Sequence, residues 1–216
     1  KLKFNDANVV ALENERIVHW RLMARGARFE LAQRHEEELG IALPDKAVEK
    51  GWRQALNPRL NVAWLPPENV YFKVVQLPTT DPAEIGDMLE LQIENLSPIP
   101  VSQLVWSYEI QATRETETTV VLLMIDQRRL DRTLDEMEAH GFQCDRLVAP
   151  QLSRLWDLQP ENDAVYVFPE RSGSSVRLMV AWFTDGSLRF LQNFHAEEDD
   201  TWKARFLRRF RESSWA

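Results

Sequence analysis

Histidine, cysteine and clustered carboxylates are the side chains in this sequence that could do chemistry, and their spacing decides which chemistry. The four histidines, His19, His35, His140 and His195, are scattered and show none of the paired spacing a metal site needs. His19 alternates with apolar neighbours as in a strand, and His140 closes a helical pattern, so structural or surface roles are the simpler reading. Cys144 is the single cysteine; it excludes an internal disulfide and a cysteine zinc cluster, and it fits a reducing compartment. None of the seven glycines forms a GxGxxG or P-loop pattern. The stretch "RSGSSV", Arg171 to Val176, offers backbone amides of the kind that hold a phosphate, but between two apolar strands it reads as a hairpin turn. No serine stands in a nucleophile elbow and Cys144 has no visible base, so no catalytic, cofactor-binding or metal-binding residue is assigned.

The composition agrees. With 44% hydrophobic and 28% charged residues, the 216-residue chain is an ordinary globular protein able to bury a real core. A net charge of -8 argues against a long nucleic-acid-binding surface, and no nucleic-acid partner is expected. No apolar run is long enough to span a bilayer and no secretory signal opens the chain. Lys1 rather than Met comes first, as in a piece of a longer protein, and a membrane segment of the parent would then lie outside these residues.

The elements that would position any site read as mixed α/β. "NVVALENERIVHWRL" predicts a hairpin turning at Glu13-Asn14-Glu15, followed by a short strand around Phe29 to Ala32. "DKAVEKGWRQALN" predicts a helix capped by Asp45. Val62 to Leu65 and Val70 to Leu77 are strands parted by a turn at Pro66-Pro67. Next comes the clearest helix: Asp81 caps it, Pro82 takes its first position, Glu84 completes a capping-box pattern, and Ile85, Met88, Leu89, Ile93 and Leu96 form one stripe. Pro98 and Pro100 stop it, since proline lacks the amide donor and clashes with the preceding turn. "QLVWSYEIQ" and "VVLLMID" are strands around a polar turn. Asp126 to His140 is a second amphipathic helix with Leu130, Leu134 and Met137 on one face, ended by Gly141. "CDRLVAP" and "QLSRLWDL" predict a strand and a helix. Three strands and a terminal helix complete the chain.

That terminal helix sets Trp202, Phe206 and Phe210 on one face among Arg205, Arg208 and Arg209. Packing on a sheet is the simpler reading; a basic amphipathic helix lying on an anionic membrane through Trp202, Arg205, Phe206 and Arg209 is the other.

The segment Leu77-Pro78, Glu84, Glu94, Pro98-Ile99-Pro100 and Tyr108 resembles that of the actin-like assembly proteins of type IV pili (PilM) and the cytoplasmic part of the type II secretion protein GspL. In that family a strand ending "LP" precedes an acidic helix that stops at a proline-hydrophobic-proline motif and leads to a strand with a late aromatic. "VVLLMIDQRRLDRTLDEMEAHGFQCDRLVAPQLSRLW" and "WFTDGSLRFLQNF" match the family's later rhythm. The resemblance implies an actin/ribonuclease-H-like α/β fold, truncated or degenerate, with a first lobe over 1–80, a small inserted α/β subdomain over 81–116, and the remaining core with an incomplete second lobe over 117–216.

Nucleotide-binding members of the family carry Asp-x-Gly phosphate loops. Here the first hairpin holds no glycine and sets acids at its turn, and "VYVFPERSGSSV" lacks the Asp-x-Gly order, so neither ATP nor Mg is expected. The resemblance implies a non-catalytic scaffold, cytoplasmic at the inner-membrane face, that docks a short cytoplasmic peptide of a platform protein or the assembly ATPase. Met88, Ile93, Pro98, Ile99, Pro100, Val101 and Trp106 are the expected partner-binding residues; membrane association would be indirect or through a segment outside the chain. The alternative is an actin-fold ATPase or phosphotransferase with atypical loops.

Overall fold

The computed structural model describes residues 4–13, 16–26, 28–38, 59–172, 175–197 and 201–213. The helix expected from Asp45, and the turns at Asn14-Glu15 and Gly173-Ser174, lie outside the described residues. The chain divides into two units, Lys1–Asn69 with Asp126–Arg154, and Val70–Ile125 with Leu155–Ala216.

The first unit is built on a five-stranded sheet in the order β3-β2-β1-β4-β8. β1 (Asp6–Glu13), β2 (Arg16–Arg25) and β3 (Arg28–Glu38) form an antiparallel meander, while β4 (Arg59–Trp64) and β8 (Arg146–Val148) run parallel, β4 beside β1 and β8 beside β4. β1 is paired on both sides, which is why its sequence is buried from Asp6 to Ala11 instead of alternating. β3 runs far past the short strand expected at Phe29 to Ala32. Its acidic end has poor strand propensity, but β3 is the outermost strand of the described sheet, where Glu36 meets Arg16 and Arg34 and the ladder to β2 holds it.

A helix over Gln127–Ala139 (α2) closes one face of that sheet. Asp126 caps it, its Oδ1 accepting from the Arg129 amide at 3.2 Å. Its end is a Schellman motif: the Phe142 amide donates to Met137 O and the Gly141 amide to Glu138 O, with Gly141 at φ 80. This turn drops Met137 and Phe142 together onto Val10, Ile17 and Ala63. Thr133 is buried and Leu134 only half-buried, so the stripe is rotated slightly from the expected Leu130-Leu134-Met137 face.

In the second unit, β5 (Tyr71–Leu77), β7 (Glu117–Asp126) and β6 (Leu104–Arg114) make a sheet in the order β5-β7-β6, crossed by α1 (Pro82–Leu96). Ile85, Leu89 and Ile93 of α1 pack on Val75, Leu77, Val120, Leu122 and Met124. The apolar stripe of α1 is thus buried by a face that β5 and β7 supply together, and the sheet it packs on reaches past 81–116 on both sides. Before the helix a Pro67–Asn69 turn of 3-10 type stands where a Pro66-Pro67 turn is expected.

The rest of this unit is a meander, β9 (Ala164–Ser172), β10 (Ser175–Thr184) and β11 (Ser187–Glu197), with α4 (Trp202–Ser213) on one face. Asp185 at φ 51 and Gly186 at φ 66 form the two-residue turn that the right-handed twist of a hairpin favours. The helix expected in "QLSRLWDL" is short, a 3-10 turn at Pro150–Leu152 followed by α3 (Ser153–Trp156).

Candidate docking groove

The site begins where α1 ends. Asp81 caps the helix through Oδ1 to the Ala83 amide at 2.9 Å. The expected capping box is replaced by a relay: the Thr79 hydroxyl accepts from the Asp81 amide and donates to Glu84 Oε2. At the other end the Ser97 amide closes the last turn on Ile93 O at 2.9 Å. Pro98 then forbids a further helical turn, and the Ser97 hydroxyl clamps the bend, donating to Ile99 O at 2.6 Å and accepting from the Ile99 amide at 3.2 Å. Pro100 is extended at φ -56 and ψ 133, and one 3-10 turn over Val101–Gln103 delivers the chain to β6. The proline segment is thus a fixed wedge, held by local hydrogen bonds and by two locked φ angles.

Beside the wedge lies a groove of about 490 Å³, lined by Val70 to Val74, Leu96 to Pro98, Met124 and Arg189 to Asn193. Its walls are the start of β5 and the middle of β11, two strands that run alongside each other yet belong to different sheets. Phe72, Phe190, Leu96 and Met124 make it largely apolar, and Lys73 and Arg189 are exposed at its surface. The volume is in the range of a preformed ligand site.

The structure separates the seven residues expected to bind a partner. Pro98 lines the groove. Ile93 is only 4% exposed and belongs to the core cluster, with Met88 and Trp106 packed against it. Their visible role is to hold α1 on its sheet. Ile99 is half-buried, and Pro100 and Val101 are exposed on the wedge itself. Tyr71, Phe72, Lys73, Arg189 and Phe190 were not expected. Tyr71 and Lys73 break the apolar alternation of β5 at its start, but nothing in the sequence tells that a strand more than a hundred residues later lies beside them.

The expected membrane face is turned inward. Trp202 and Phe206 pack on Val176, Leu178, Val180 and Phe194, and the Phe194 and Phe206 rings meet edge to face at 5.5 Å. Arg205 is half-buried, and the Arg209 side chain lies outside the described residues. Of the residues expected on a membrane face, Trp202 and Phe206 are thus packed on the sheet.

Two of the four histidines, His19 and His140, are buried. His19 is fully buried and its Nε2 lies 3.1 Å from Asn8 Oδ1; Asn8 Nδ2 donates to Asn61 Oδ1 at 3.0 Å, and Asn61 Nδ2 to Gln143 O at 2.9 Å. The direction of this relay requires the Nε2–H tautomer, and the buried Nδ1 makes no hydrogen bond. A proton there would be placed in a dry site near His35, Arg21 and Arg59. Burial first, and those charges second, lower the His19 pKa from 6.5 to about 4. His140 is buried at the end of α2 and His195 is exposed on β11. Among the described residues no three His, Cys, Asp or Glu side chains converge to hold a metal.

Between Asn8 and Trp20 the sequence holds no glycine, and Glu13 and Glu15 place two carboxylates there.

No protein-family model and no curated protein matches the chain. Solved structures do. Its fold matches a chain of a PilM-PilN type IV pilus biogenesis complex with a TM-score of 0.60 at 14% identity, over 87% of this chain and 61% of that one. It also matches a Bacteroides thetaiotaomicron protein with an actin-like ATPase fold and unknown function, at a TM-score of 0.50 and 9% identity, over 99% of this chain and 80% of that one. The cytoplasmic domain of EpsL, an inner-membrane component of the Vibrio cholerae type II secretion system, aligns more weakly, at a TM-score of 0.49 and 14% identity over 89% of this chain and 71% of that one. The chain spans about three fifths of the length of the pilus-complex chain. At these identities the likeness is one of fold: the chain shares the fold of the pilus-complex chain and of the actin-like Bacteroides protein.

Proposed function

We propose that the chain is a docking scaffold in the inner-membrane platform of a type IV pilus or type II secretion system, at its cytoplasmic face. It holds a short segment of a partner protein, a platform component or the assembly ATPase, without turning over a substrate of its own. The observation that carries this reading is the preformed groove beside the clamped Ser97–Val101 wedge. A groove between two edge strands suits an extended segment, because edges supply main-chain hydrogen bonds and apolar pockets take alternate side chains. The likeness in fold to a chain of the PilM-PilN complex points to this class of assembly.

The test is capture by the cytoplasmic segments of the pilus or secretion platform proteins from the same genome. Wild type is expected to be captured, and Phe190→Asp in the groove and Ile99→Asp on the wedge to lose at least tenfold. Unchanged capture by both folded variants would remove the groove from the function.

A further inference from the structure

We infer that the groove's ligand is an acidic, apolar peptide segment in extended conformation. This rests on the docking reading and adds the chemistry of the occupant. Acids outnumber bases 34 to 26 along the chain. The groove inverts that balance: Lys73 and Arg189 line it, and none of its lining residues is an Asp or Glu.

Neither cation belongs to an ion pair among the described residues, so both remain available to a ligand's carboxylates. Two unpaired cations over a floor of Phe72, Phe190, Leu96 and Met124 ask for carboxylates spaced between apolar side chains. The edges explain the extended form. Among the described residues β5 pairs only with β7 and β11 only with β10, so each wall is the outer strand of its sheet. Aromatic floor and cations would also suit a single-stranded oligonucleotide, but a net charge of -8 repels a polyanion, while two cations match a segment bearing one or two carboxylates.

The experiment pans a random dodecapeptide phage library on the full chain and on a Lys73→Glu/Arg189→Glu double variant. Both residues are exposed, so circular dichroism should show the variant folded. Peptides selected on wild type are expected to be enriched in Asp and Glu between apolar residues, and those selected on the variant in Lys and Arg. By fluorescence anisotropy, a wild-type-selected peptide should bind the variant at least tenfold more weakly. Selection without preference for acids, or a preference that survives the double reversal, overturns the inference while the docking reading stands. Displacement of the selected peptide by a dT12 oligonucleotide at comparable concentration overturns it in favour of nucleic acid. Selection of nothing above an uncoated surface defeats both readings.

Discussion

Asn8 and Asn61 stand opposite each other on the parallel neighbours β1 and β4, and their carboxamides join, Nδ2 of the first 3.0 Å from Oδ1 of the second. The relay they centre runs from His19 on β2 to Gln143 O before β8, while the Asn61 amide donates to Asp145 Oδ2 at 2.9 Å. A buried polar chain of this kind is satisfied in one strand register, since a slip by one residue would place the amides on the opposite face. Asn61→Ala leaves the Asn8 amide and Gln143 O without partners. The expected loss is about 2–4 kcal/mol in urea unfolding. Asn95→Ala, at an exposed site on α1, is the control and should change stability by less than about 0.5 kcal/mol.

The same relay makes stability depend on pH. His19 is held at about 4 in the folded chain against 6.5 unfolded. Between those values the unfolded chain binds the extra proton, so stability falls as pH is lowered from about 6.5 to 4 and is insensitive to this group above that window. The full contribution is roughly 3 kcal/mol. His19→Gln keeps a donor near Asn8 Oδ1 and cannot titrate. Urea unfolding across pH 4–7 should show a flatter profile for His19→Gln than for wild type, and identical slopes would refute the assignment.

Ser97 holds both backbone groups of Ile99. Ser97→Ala should cost about 1 kcal/mol. If the wedge is the groove's wall, the affinity of a captured platform segment should weaken by more than the global loss of folded protein explains. Calorimetric titration well below the melting temperature separates the two effects.

Phe206 bridges α4 to its sheet through Phe194. Phe206→Ala should destabilise by about 2–4 kcal/mol, the range for removing a large side chain that is not fully enclosed. Wild type should stay in the supernatant with anionic vesicles, because its apolar stripe is occupied by Val176, Leu178 and Val180. Co-sedimentation that disappears on deleting residues 201–216 would show that the helix leaves the sheet for lipid.

Magnesium-ATP is expected to give no binding heat at micromolar affinity. The hairpin flanked by Glu13 and Arg16 has no glycine to bring amides to the phosphates. A micromolar dissociation constant by calorimetry would restore the ATPase or phosphotransferase reading.

Local patterns carried much of the architecture. The cap at Asp81, the stop at Pro98, the Gly141 turn and the Asp185-Gly186 hairpin depend on backbone rules that act over a few residues, and each is where the sequence predicts it. The packing of α1 on β5 was less legible, because Val75 and Leu77 declare a strand without declaring that α1 will lie on it. The length of β3 was hidden for a similar reason: Glu36 and Glu37 have no strand preference of their own, and pairing with β2 supplies it.

What the sequence determined by itself is therefore the set of elements, their caps and turns, and the rigid bend between α1 and β6, since these follow from covalent constraint and nearest-neighbour hydrogen bonding. The tertiary structure decided which apolar residues are free. Met88, Ile93 and Trp106 look as available as Pro98 in the sequence, but only packing tells a core stripe from a docking surface. It also decided the groove, because placing Lys73 and Arg189 along one cleft takes two strands far apart in the chain, and their adjacency is a property of the folded core rather than of either segment.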